Sequence, residues 1–202
     1  MYKDHVMTPE DLYDFNLIEA TYKGKITDAG ILAILCRVAD LSPDPSSQNA
    51  AAIFPAPGDV PRPAWAPDMF MYPLSVAINT FPVGVDVAPA SRWERPEKYY
   101  RVVHAETGAI THAARDGRKI RGQTMFACWA ACGPCAAQII EAGIKRLVTL
   151  ESSRPGTDGS WDASITIGVE MLAEAGVVVE YIPHPVTPEP FTLLRGEQPM
   201  RV

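Results

Sequence analysis

The stretch "TMFACWAACGPCAAQIIEAGIKRLVTL", residues 124–150, carries the alternation that sets the fold class. An apolar run over 124–130 leads into Cys132-Gly-Pro-Cys135, helical spacing continues to Ala142, Gly143 stops it, and "RLVTL" begins a second strand at Arg146. A strand, a helix and a strand in direct succession form a crossover unit, so the two strands lie parallel in one sheet. The cysteine pair poses a chemical alternative. Two thiols separated by two residues at a helix start make either a redox dithiol or half of a metal site. The strand, CxxC and helix context satisfies the first reading as well as the second.

Working outward, the same pattern repeats. A helix is expected from His104 to Asp116, stopped by Gly117, and another from Ser164 to Ala175, stopped by Gly176 and followed by a strand over 177–182. Ile31, Leu32, Leu35 and Val38 recur at helical spacing after Asp28, and Thr8-Pro9-Glu10-Asp11 opens an N-terminal helix over 8–20. Between Pro43 and Pro96, which hold 11 of the 19 prolines, two apolar runs (50–54 and 74–78) read as strands set in long loops. Segment 55–73 is a solvated insertion or a cover for a site. The proline-rich tail 183–202 is expected to lie extended on the surface. These elements predict an α/β fold with part of its sheet parallel, in a single domain over 1–202 whose core spans about 28–182.

The totals narrow the function. A chain of 202 residues can bury a conventional core, roughly 70% of its unfolded surface. Three of the four cysteines cluster at 128–135, which suits a reducing cytoplasm better than a disulfide scaffold. The N-terminus has no apolar signal core, and no run of about 18 apolar residues occurs. A net charge of −6 argues against nucleic acid as a partner, because backbone binding relies on clustered Lys and Arg. Small molecules are the better partner.

The decisive second observation lies upstream of the cysteines. His104-Ala-Glu106 opens one helix and Cys132-Gly-Pro-Cys135 opens the next. H-x-E followed by C-x-x-C at two helix mouths is the signature of zinc-dependent nucleobase deaminases. Further segments agree: "SVAINTFPVGVD" (75–86), "ERPEKYYRVVHAE" (94–106), "CGPCAAQIIEAGIKRLV" (132–148) and "DASITIGVEMLAEAGVVV" (162–179). On these the chain resembles the cytidine and deoxycytidylate deaminase superfamily, most closely the deoxycytidylate deaminases of bacteria and phages.

The resemblance implies a three-layer α/β/α fold with a mixed, partly parallel central sheet of about five strands. It implies Zn2+ held by His104, Cys132 and Cys135, with one coordination position left to water, as catalytic zinc requires. Glu106 is implied as the proton carrier in the deamination of a cytosine nucleotide, dCMP first among them. Asn79 is implied to bind sugar and base, and the Ala105 backbone to meet the base edge. Ser46 and Ser47 are candidate phosphate donors, although short serine runs also serve as turns. A homo-oligomer, hexamers included, is implied as well. Departures are Ala131 and Pro134 around the first cysteine, Thr80 after Asn79, and Gly108 in the helix; the last two bear on sugar or phosphate contacts. The competing reading is a thiol–disulfide oxidoreductase using Cys132 and Cys135. Cys36, Cys128, Trp129 and Trp161 are expected in the core.

Overall fold

Thr27 accepts a hydrogen bond on its hydroxyl from the Gly30 N–H, 3.1 Å away, which caps helix α1 (Asp28–Ala39). The computed structural model describes residues 27–56, 73–156, 162–183, 192–195 and 198–201. The expected helix over 8–20, most of the 55–73 segment and Trp161 lie outside them. After α1 come strands β1 (Ala50–Phe54) and β2 (Ser75–Ile78) and a short helix α2 (Glu97–Arg101). They are followed by α3 (Ala105–Arg115), β3 (Thr124–Ala127), α4 (Gly133–Glu141), β4 (Arg146–Leu150), α5 (Asp162–Glu174) and β5 (Val178–Ile182).

Five strands form one sheet in the order β2-β1-β3-β4-β5. β1 runs antiparallel to both neighbours, whereas β3, β4 and β5 are parallel, joined by α4 and α5. The sheet is therefore mixed, with its parallel half formed by the crossover units.

Alternation along β1 divides the core into two layers. Ala50, Ala52 and Phe54 pack with Leu32, Leu35 and Val38 of α1 on one face. Ala51 and Ile53 pack with Ala105 and Ala109 of α3, Ile139 of α4 and Leu172 of α5 on the other. Cys36 and Cys128 are both buried in the α1 layer, as expected for small hydrophobes. Small residues let α3 sit close to the sheet: a Cβ on Gly108 would come within 2.7 Å of the Ala77 Cβ.

Two expectations are revised, and one element is added. Strand β3 ends at Ala127 instead of Ala130, because its partner runs out: Cys128 N–H donates to Ala50 O, the first residue of β1, and Trp129 then donates its indole N–H to Gln48 O at 2.6 Å. The approach to His104, to which the sequence reading assigns no element, contains α2, whose Lys98 is buried. The tail contributes an antiparallel pair, β6 (Thr192–Arg195) with β7 (Gln198–Arg201). Periodicity could not signal that pair in so proline-rich a segment. No helix among the described residues is long and apolar enough to cross a membrane.

Candidate metal centre and its cleft

Both helix starts deliver their chemistry at the same place. His104 is the N-cap of α3, and Cys132 is the N-cap of α4, where Pro134 in the first turn suits a helix start lacking N–H partners. Cys135 sits in that turn, one helical step further on. His104 Nδ1 lies 3.5 Å from Cys132 Sγ and 3.4 Å from Cys135 Sγ. The three donor atoms fall within 4.8 Å of one another. A tetrahedral zinc with ordinary Zn–S and Zn–N bonds would hold nitrogen and sulfur about 3.6 Å apart, so the donor set fits that ion in both kind and spacing.

Electrostatics favour a cation there. Cys132 is pushed down to about 4 by a hydrogen bond from Cys135 and by His104. The Cys135 thiol is pushed up by that same hydrogen bond and by burial. His104 is raised, first by its hydrogen bond to Cys132. The Cys132 sulfur is thus favoured as thiolate, and two helix N-termini aimed at it stabilise that anionic form.

Glu106 occupies the first turn of α3 and is only 3% exposed. Its Oε2 is approached by the Cys135 thiol at 3.7 Å and by Asn49 Nδ2 at 3.4 Å. Burial lifts its carboxyl to about 7, against the opposing pull of His104. A carboxyl in that range exchanges protons readily at neutral pH.

His104, Cys132 and Glu106 line one cleft, together with Asn79, Ser47 and Trp129. Of the other residues singled out in the sequence, Cys135, Ser46 and Ala105 do not line it. Asn79 is committed within the protein: its Nδ2 donates to Ser47 O and its Oδ1 accepts from Ala105 N–H, both at 2.8 Å. Ser46 and Ser47 wrap an Asp44 turn, their backbone N–H groups donating to Asp44 Oδ1 at 2.9 and 3.0 Å. Neither Thr80 nor Gly108 reaches the cleft; Thr80 pairs its backbone with Val103, and Gly108 faces β2.

Sequence reasoning missed Asp44, Asn49, Arg95, Lys98 and Ile165, which also line the cleft. Lys98 and Asp44 form a buried ion pair at 2.7 Å, and Lys98 also bonds Ser46 Oγ. A polar Asn49 directly ahead of the apolar run at 50–54 was the available signal for that residue. Trp129, expected in the core, is buried and forms cleft wall at once.

Comparison with known proteins agrees with this arrangement. The cytidine and deoxycytidylate deaminase zinc-binding region matches residues 75–151. The chain is 34% identical over 110 residues to an uncharacterized deaminase in the luxG 3' region of Aliivibrio fischeri, covering 54% of this chain and 71% of that protein. It is 38% identical over 84 residues to the deoxycytidylate deaminase of Enterobacteria phage T4, covering 40% of this chain and 38% of the phage protein. The aligned part therefore spans under half of the phage enzyme. Among solved structures, the dCMP deaminase of cyanophage S-TIM5, in complex with dCMP and dUMP, shares the fold with a TM-score of 0.54 at 19% identity. That match covers 76% of this chain and 94% of the cyanophage chain.

Proposed function

Since this chain belongs to the cytidine and deoxycytidylate deaminase family, whose chemistry is hydrolytic deamination of nucleotides, we propose that it converts a free cytosine nucleotide, dCMP, to dUMP and ammonia. The observation that carries the reading is a His/Cys/Cys donor set adjoining a buried glutamate on one cleft. Zinc is the family's cofactor, and His104, Cys132 and Cys135 are the residues that would hold it. When bound, it supplies the Lewis acidity that makes water a nucleophile at neutral pH.

The chain's own residues do the rest. Glu106 takes a proton from the attacking water and delivers it to ring N3; it then takes the remaining proton of the new C4 hydroxyl and delivers it to the amino group, which leaves as ammonia. Trp129 and Ile165 offer the base apolar walls. Arg95, exposed at the cleft and stacked over Tyr99 at 5.7 Å, is the cation we assign to the 5′-phosphate, since Lys98 is already neutralised by Asp44. The T4 phage relative's name and the cyanophage complex support dCMP as the substrate. We also propose the homo-oligomer implied by the sequence, to be checked by light scattering.

The test is a panel of cytosine nucleosides and their mono-, di- and triphosphates, followed by loss of cytosine absorbance, with zinc measured on the same preparation. Turnover of dCMP with about one zinc per chain is the expected result. Failure to turn over any member would defeat the reading. A dithiol function has no observation of its own, since it needs neither the imidazole against both sulfurs nor the buried carboxylate.

A further inference from the structure

Asn49 stands at the entry to β1, one residue before the first sheet pair, and is 4% exposed. Its backbone is held from the neighbouring strand: the Asn49 carbonyl accepts from Asn79 N–H at 3.0 Å. Its side chain is less fully used. Nδ2 points to Glu106 Oε2 at 3.4 Å, while Oδ1 has no partner among the described residues although Asn49 lines the cleft.

An asparagine buried for packing alone would have both ends of its carboxamide satisfied. This one spends its donor on the oxygen of the carboxylate that the chemistry needs. The other group approaching that oxygen is the Cys135 thiol, a weak donor and a proposed metal ligand. A buried carboxylate can turn about its last torsion, which is broad, so a fixed donor on one oxygen decides where the other points. The bond is long, as hydrogen bonds in unliganded sites commonly are before they tighten around substrate.

We propose that Asn49 is a positioning residue: its carboxamide, anchored by the edge of β1, pins Oε2 of Glu106 so that the remaining oxygen faces the ligand. The inference rests on the deaminase reading for its kinetic consequence, but not for the contact itself. It places a β1 residue, remote in sequence from both helix motifs, in the proton-transfer machinery.

Two measurements on the zinc-loaded full chain test it. In the first, the side-chain amide protons of Asn49 are identified in 15N-labelled protein by their loss in Asn49→Leu. One of the two is expected to move upfield in Glu106→Ala, where its acceptor is gone. In the second, Asn49→Leu, which keeps the shape and removes the donor, is expected to lower kcat for the best cytosine substrate about 10- to 100-fold, the cost of a misplaced catalytic group, with KM and zinc content unchanged. Asn49→Ala replaces it where the leucine variant loses zinc. Amide protons indifferent to Glu106→Ala overturn the proposal. So does a raised KM at unchanged kcat, which would make Asn49 a substrate contact. A wild-type protein inert toward every cytosine compound would sink the deaminase reading and leave the amide measurement to decide this one.

Discussion

Glu106 shows what a buried carboxyl costs in stability. Its carboxyl is raised to about 7 by burial, whereas an unfolded chain holds it near 4.3, so in the metal-free protein the folded state must bury a charge as pH rises through that interval. The cost is absent below about pH 4, grows between, and is complete above about pH 7, of the order of 3 kcal/mol. Chelator-treated Glu106→Gln should therefore be more stable than chelator-treated wild type at pH 8 in urea unfolding, with the gap closing toward pH 4. A gap that does not depend on pH would contradict the burial argument. In the zinc-loaded protein the same variant should lose at least ~100-fold in rate, read as kcat on the best substrate.

Arg95 makes a different prediction at this scale. A charge-assisted hydrogen bond to phosphate is worth ~1.5–3 kcal/mol, which is roughly tenfold or more in affinity. Arg95→Ala should raise KM for dCMP by that factor while leaving KM for deoxycytidine as it was. Equal effects on both would remove Arg95 from the phosphate site.

At the scale of elements, the metal centre depends on how α5 lies over the loop ahead of α4. Ser164 Oγ accepts from the Gly133 N–H at 3.2 Å, tying α5 to the start of the cysteine helix. One turn on, Gly168 lies against the loop itself: a Cβ there would come within 2.5 Å of Ala131 O and 3.0 Å of the Cys132 carbonyl carbon. Because those atoms are backbone, no rotamer change can relieve the clash. Gly168→Ala must push α5 off the loop or move Cys132. Overpacking of this kind costs ~1–3 kcal/mol. The expected outcome is a melting temperature lower by several degrees and a reduced zinc content. Retention of full zinc content would show that the loop yields without moving the sulfur.

For the whole molecule, the three donors come from the starts of two helices that belong to different connections, α3 after the β2 side and α4 after β3. A metal bound by all three adds a further tie between two helices that already pack together, Thr107 Oγ1 lying 3.8 Å from Cys135 Sγ. Ligand binding to the folded state alone stabilises it by mass action, ~2.7 kcal/mol at a hundredfold excess over Kd. Removing zinc with a chelator should lower the melting temperature, and readdition should restore it. In Cys135→Ser the chelator should shift it little. A wild-type melting temperature blind to chelator would mean that no metal bridges the helices.

What the sequence by itself determined is local and periodic. The α/β class, the bounds of β1 and β4, the two helix starts at His104 and Cys132, and their H-x-E and C-x-x-C spacing are all properties of neighbours along the chain, written in hydrophobic period, helix stops and ligand type. What only the tertiary structure decided is which distant segments share a wall. Asp44 meets Lys98 inside the cleft, Asn49 reaches Glu106, and Gly168 touches the Cys132 loop. No period or spacing links such pairs, because sheet order and helix packing bring them together. Asn79 makes the same point: its place in the motif was readable, but its bonds to Ser47 and Ala105 follow from where β2 ends beside α3. Chain neighbours determine the donors, and the folded sheet decides what surrounds them.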